Sequence, residues 1–149
     1  MFDKYFGEVA VGEVWESKGR TITEADIVNF AGVSGDYYPL HMDREYAEAT
    51  RFGGRIAHGM LVLSVATGLM NFTEGVIVAF YGMDKIRFVS PTFIGDTIKV
   101  RLAAADKEDR GDGTGVIVCQ TEIINQDGRT VTAGTLRMLV NHAPVAVES

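Results

Sequence analysis

Hydrophobic positions along this chain follow two rhythms, and the switch between them falls near Asn71. Before it, apolar residues recur at three- and four-residue intervals or fill whole segments, the habit of helices. After it they come in β-branched and aromatic runs separated by glycine, proline, asparagine and aspartate, the habit of strands and turns. Val9 to Lys18, mixed in character around Trp15, predicts a short first strand or an extended arm. Thr23 then offers a capping hydroxyl, Glu24 and Asp26 put negative charge in a first turn, and Ile27, Phe30 and Ala31 continue an apolar stripe. These features predict a helix from about Thr23 to Val33. Ser34 to Pro39 breaks it, because proline disfavours the helical conformation in the residue before it and glycine permits a sharp turn. A short helical piece, Arg44 to Thr50, follows. From Ile56 to Met70 the chain reads IAHGMLVLSVATGLM, interrupted only by Ser64 and Thr67. A helix apolar on every side is predicted to be buried on every side. It is shorter than the roughly 20 residues that span a bilayer.

Strand patterns occupy Gly75 to Met83, Lys85 to Val89, Thr97 to Ala104, Gly115 to Ile124 and Thr130 to Val140. Turn chemistry lies between them, at Pro91 with Gly95-Asp96, from Asp106 to Gly113, and at Asn125 to Gly128. With no helical pattern separating the strands, the sheet is expected to be antiparallel and built from hairpins. The layout predicts an α+β protein of one domain, residues 1–149, with one buried helix lying across the sheet.

Composition narrows the function classes. A chain of 149 residues with 46% hydrophobic and 23% charged side chains has the material for a core of its own. The single cysteine, Cys119, excludes an intramolecular disulfide and any multi-cysteine zinc site, in keeping with a reducing compartment. A net charge of −6 has the wrong sign for coating nucleic acid. No apolar run reaches membrane-span length, so a soluble cytoplasmic protein with neither nucleic-acid nor membrane partners is expected.

Candidate chemistry concentrates in two places. Asp36 and His41 set a carboxylate and an imidazole five positions apart around Pro39, a pair able to take and return a proton. The same spacing also suits a turn cap and a local hydrogen bond. At the start of the apolar helix, His58-Gly59-Met60 puts a glycine where helix N–H groups and partial positive charge can meet a developing oxyanion, or where the helix simply packs close. Elsewhere Asp106, Glu108, Asp109 and Asp112 lack the spacing of an EF-hand loop. His41, Asp43 and His58 lack a helical His-x-x-x-His, so no metal is expected. Cys119, in an apolar strand, reads as an inert core residue.

Together these residues carry a resemblance. The run from Ser34 to Met70, with Asp36, Pro39, His41, Asp43, Phe52, Gly53, Gly54, His58, Gly59 and Met60, resembles the MaoC-like hydratases, the (R)-specific enoyl-CoA hydratase group. Arg87-Phe88, Pro91 and Gly95-Asp96 are similar to the family's later strand and turn. Tyr38 departs from the pattern, since many members have asparagine before the proline. The resemblance implies a hot-dog fold, a curved antiparallel sheet wrapped around a central buried helix. It implies reversible addition of water to a trans-2-enoyl thioester, with Asp36 as base, His41 assisting proton transfer, and the Gly59 N–H receiving the thioester oxygen. No cofactor is called for, because the coenzyme A thioester is itself the substrate. Thr67, and after it Ser64, are candidates to orient Asp36, each with its own helix carbonyls as the alternative partner. Lys85 and Arg87 are candidates for the coenzyme A phosphates, or solvated sheet-face charges. Tyr37, Tyr38 and Phe80-Tyr81 are expected to shape the acyl pocket. A hot-dog thioesterase and a non-catalytic acyl-binding subunit are the competing readings. So short a chain leaves little to cover the sheet edge, which predicts a homodimer joined edge to edge.

Overall fold

Local turn chemistry sets the ends of the long strands in the computed structural model, which describes residues 2–144. Asn125 Oδ1 accepts from the N–H groups of Asp127 and Arg129, at 3.0 and 3.1 Å, and closes the hairpin between β5 (Thr114–Ile124) and β6 (Thr130–Asn141). Before them runs β4 (Thr97–Asp109), five residues longer than its pattern predicted. Its C-terminal end carries four consecutive charged residues, Asp106 to Asp109, that continue the pairing with β5, so the turn tightens to the residues around Gly111 and Gly113.

All strands pair antiparallel, in the order β1 (Val14–Glu16), β4, β5, β6, β3 (Ile77–Phe88), with β2 (Arg20–Thr21) also against β4. The arm around Trp15 therefore supplies β1, and the residues just after it β2, at one edge. The hairpin expectation fails at one connection: β3 pairs with β6, not with β4, so the chain from Val89 to Asp96 crosses over instead of turning back. On the way Thr92 O accepts from Ala57 N at 2.7 Å and Phe93 forms a bridge with Ile56. The crossover thus fastens the segment that enters the core helix.

Helices occupy the N-terminal half as predicted. Thr23 and Asp26 form a reciprocal capping box at the start of α1 (Glu24–Ser34), and Gly35 ends it at φ 74°. Two short helices follow, α2 (Pro39–Met42) and α3 (Arg44–Glu48), the first opened by Pro39 and the second capped by Asp43 Oδ1, which accepts from Tyr46 N at 3.0 Å. The core helix α4 runs from Gly59 to Leu69. Leu61, Val62, Leu63, Ala66 and Leu69 are buried, in one cluster with Ile98, Val100 and Leu102 of β4, Ile117 of β5, and Leu136 and Met138 of β6. Burial on every side does not hold. Met60, Ser64 and Gly68, each four residues on from the last, form an exposed stripe, because a single sheet can cover only part of a helix's circumference.

The two strand patterns on either side of Asp84 fold as one strand, β3, whose pairing with β6 slips at three places. At the third, Lys85 and Ile86 stand opposite Gly134 alone, with Lys85 at φ 53°. A Cβ on Gly134 would lie 2.4 Å from Ile86 Cδ1, 3.1 Å from Ile86 Cα and 3.2 Å from Asp84 O. Two of those neighbours are backbone and cannot swing aside. Gly134→Ala is therefore expected to destabilise the protein by about 1–3 kcal/mol in denaturant titration. An unchanged midpoint would mean that β3 slides freely along β6.

Candidate active site

The loop after α1 is built by short-range hydrogen bonds. Ser34 Oγ donates to Phe30 O at 2.7 Å and accepts from Asp36 N at 3.1 Å, while Asp36 Oδ1 accepts from Tyr38 N at 3.2 Å. Asp36 is exposed, and Pro39 starts the turn of helix that carries His41. Asp36 is also held from outside the loop: His58 Nε2 lies 2.9 Å from Asp36 O. His41 Nδ1 lies 2.8 Å from Ile56 O. A carbonyl can only accept, so both ring nitrogens are protonated donors. The neutral His41 ring then keeps its lone pair at Nε2.

These contacts gather the chemistry. A carboxylate oxygen of Asp36 and one ring nitrogen each of His41 and His58 lie within 4.8 Å of one another. The two imidazoles stack, with centroids 4.0 Å apart and planes at 27°. Burial holds the pKa of half-buried His41 below the ordinary 6.5, with neighbouring His58 acting in the same direction against the Ile56 carbonyl and Asp36. Arg55, whose side chain is 15% exposed, pairs with Glu24 at 2.7 Å and ties the segment before α4 to α1.

Beside His41 opens a cavity of about 460 Å³, walled by Phe52, Ile56, Ala57, Gly59, Met60, Val62, Phe88 and Val131 among others. The wall is mostly apolar, and it includes the first residue of α4. Helix N–H groups there have no preceding carbonyl to bond, so they are free to meet a ligand acceptor. Gly59 serves packing as well: a Cβ on it would sit 2.8 Å from the Phe88 ring. Both readings of that glycine therefore have a physical basis.

Other expected site residues lie elsewhere. Ser64 Oγ donates to Met60 O and Thr67 Oγ1 to Ser64 O, each at 2.7 Å, so both hydroxyls are spent on helix carbonyls and neither bonds Asp36. Lys85 and Arg87 line a different groove, of about 580 Å³, with Arg101, Gln120 and Glu122. The cation on the His41 cavity is Arg51, stacked over Phe52 at 5.8 Å, which sequence reasoning missed. Tyr37, Tyr38, Phe80 and Tyr81 do not line this cavity. Tyr38 instead pairs its hydroxyl with that of Tyr46 at 3.2 Å. Cys119 is sealed in the core, and burial pushes its thiol up to about 12. Among the described residues no helix is long and apolar enough to cross a membrane.

A strand-wrapped core helix with an Asp–His pair at its N-terminus defines the class, and comparison names it. Residues 7–126 match the model of the MaoC like domain, and the chain belongs to that family. It is 46% identical over 108 residues to protein MaoC of Klebsiella aerogenes, a match covering 71% of this chain and 32% of that one, so the chain spans about a third of that relative. It is 37% identical over 110 residues to 3-hydroxyacyl-thioester dehydratase Z of Mycobacterium tuberculosis, covering 70% and 73% of the two chains. A solved structure described as a monoamine oxidase regulatory protein from Archaeoglobus fulgius superposes with a TM-score of 0.88 at 37% identity, covering 97% of this chain and 98% of that one.

A proton-resolved titration checks the His41 environment. Its midpoint is expected below 6.5, the ordinary histidine value. Between the two values the unfolded chain binds more protons than the folded one, so this residue's contribution to stability falls as pH drops through that window. A midpoint at or above 6.5 contradicts the burial argument.

Proposed function

We propose that this protein reversibly hydrates trans-2-enoyl thioesters to (R)-3-hydroxyacyl thioesters. The observation carrying the reading is the Asp36–His41 pair, whose His41 lines a mostly apolar cavity that also contains the start of α4. Two hydrogen-bond acceptors within 4.8 Å of each other can both hold one water at about 2.8 Å, each accepting from one of its O–H groups, and the pair takes a single proton as the oxygen attacks. Its oxygen lone pair is then free to attack the β-carbon. As the C–O bond forms, the double-bond electrons move onto the α-carbon and thioester oxygen, and the Gly59 N–H with the α4 dipole stabilises that charge. The proton released to the Asp36–His41 pair returns to the α-carbon, so water is added with nothing left over. His41, with its lone pair at Nε2, joins Asp36 as a proton acceptor in the resting state. The chemistry draws on no redox carrier or metal. The kinship to a 3-hydroxyacyl-thioester dehydratase supports the same reaction run in either direction, and the family resemblance supports the (R) product.

Apolar walls suit an acyl chain, and Arg51 suits a phosphate on its carrier better than Lys85 or Arg87, which line the other groove. The outer edge of β3 has no strand partner among the described residues, and Val78, Tyr81 and Met83 stand about half exposed along it. That edge is where a second copy would add.

A panel of enoyl-CoA thioesters, followed for loss of conjugated absorbance and for free thiol, tests the reaction. Asp36→Asn and His41→Ala are each expected to lower kcat about 10²–10⁴-fold, and the product is expected to be (R). Thiol release with the double bond intact would make the protein a thioesterase. Unchanged turnover in both variants would remove the site, and no turnover at all would favour the non-catalytic acyl-binding reading. Light scattering at assay concentration is expected to give twice the chain mass. A strictly monomeric active protein overturns the dimer.

A further inference from the structure

His58 is unused by the mechanism above, yet it touches both of its proton-handling residues. It is 2% exposed. Its Nε2–H holds the Asp36 carbonyl at 2.9 Å, its face stacks on His41, and its edge meets Phe30 with centroids 4.9 Å apart at 60°. Its own carbonyl accepts from Val62 N at 3.1 Å and so opens the hydrogen bonding of α4. The remaining ring nitrogen, Nδ1, is sealed from solvent and has no hydrogen-bond partner among the described residues. An orphaned buried acceptor is a penalty that an apolar side chain of similar shape would avoid, so packing alone does not account for an imidazole here.

What the imidazole adds is the bond to Asp36. The other hydrogen bonds of that residue, from the Asp36 N–H to Ser34 and from Tyr38 to its carboxylate, lie within its own exposed loop. Ile56, two residues earlier, holds His41 in the same fashion. The extended segment Ile56–His58 is itself fixed through Ala57 N to Thr92 O and the Ile56–Phe93 bridge. One short piece of chain therefore grips both reacting side chains, His41 through a backbone carbonyl and Asp36 through a ring.

We propose that His58 is a positioning residue, which sets the Asp36 turn and the plane of His41 as a single unit at the start of α4 without meeting the substrate. This rests on the hydratase reading for its kinetic consequence and on geometry alone for its spectroscopic one. His58→Phe keeps a ring to stack on His41 and Phe30 but drops the bond to Asp36. It is expected to lower kcat about ten- to a hundredfold, the scale of a small misplacement of reacting groups, with KM within about twofold and the native circular dichroism spectrum retained. His58→Gln, which restores an N–H donor near the same place, is expected to recover part of that loss. In the unaltered protein, long-range ¹⁵N–¹H imidazole spectra are expected to show His58 protonated at Nε2 and His41 at Nδ1.

An unchanged kcat in a folded His58→Phe protein overturns the proposal, as does a raised KM at constant kcat, which would put His58 in substrate binding. If neither variant folds, the imidazole spectra decide: protonation of His58 at Nδ1 removes the bond to Asp36 and the proposal with it. An unaltered protein inactive on every enoyl thioester sinks the hydratase reading instead, and those same spectra still decide the role of His58.

Discussion

Leu61, Val62, Leu63, Ala66 and Leu69 cannot be left in water, and the rest of the molecule is arranged around hiding them. Full burial of a leucine or valine side chain stabilises by about 1.5–3 kcal/mol, so α4 anchors firmly against β4, β5 and β6. A helix held that tightly along its length has an immobile first turn. The segment Ile56–His58 inherits this rigidity, and through two hydrogen bonds passes it to an exposed loop that could not hold Asp36 and His41 in register unaided. Order at the candidate site is thus borrowed from the hydrophobic core, with α4 as the connection between them.

Features written in short stretches of chain were legible. The Thr23 cap, the loop at Ser34 to Pro39, the apolar run of α4 and the Asn125–Gly128 turn each rest on neighbouring residues, and each folds close to where its pattern places it. The order of strands was not legible. Alternation tells which face a residue takes but not which strand lies beside it, so the pairing of β3 with β6 and the crossover from Val89 to Asp96 stayed hidden. The bulge at Lys85 and Ile86 was hidden for a related reason, since Gly134, which makes room for it, lies some fifty positions away.

The site divides in the same way. Asp36, His41 and Gly59 stand out because a carboxylate, an imidazole and a glycine each carry a chemical signature. The stacking of His58 on His41 links positions 17 apart through a loop and two short helices, and no local pattern foretells it. The pleat of a single strand sets Lys85 and Arg87 apart from the His41 cavity. Phe88 lines the cavity beside Gly59, and Arg87, its neighbour in sequence, projects from the opposite face into a groove with Arg101. Arg51 was passed over because nothing around it in sequence shows that its loop folds back to the mouth of the cavity.

The three slips in the pairing of β3 with β6 have a consequence for the molecule in a crowded solution. A long, flat strand at a sheet edge is a template for indefinite addition of further strands, the route to fibres. Bulges twist and bend an edge so that most extended segments no longer match its hydrogen-bonding groups. A second copy approaching across a two-fold axis would carry the same bends in reverse order, and its docking would use up the edge instead of presenting a new one. The irregularity that makes β3 read as two strands thus leaves its outer edge a poor template for an endless stack.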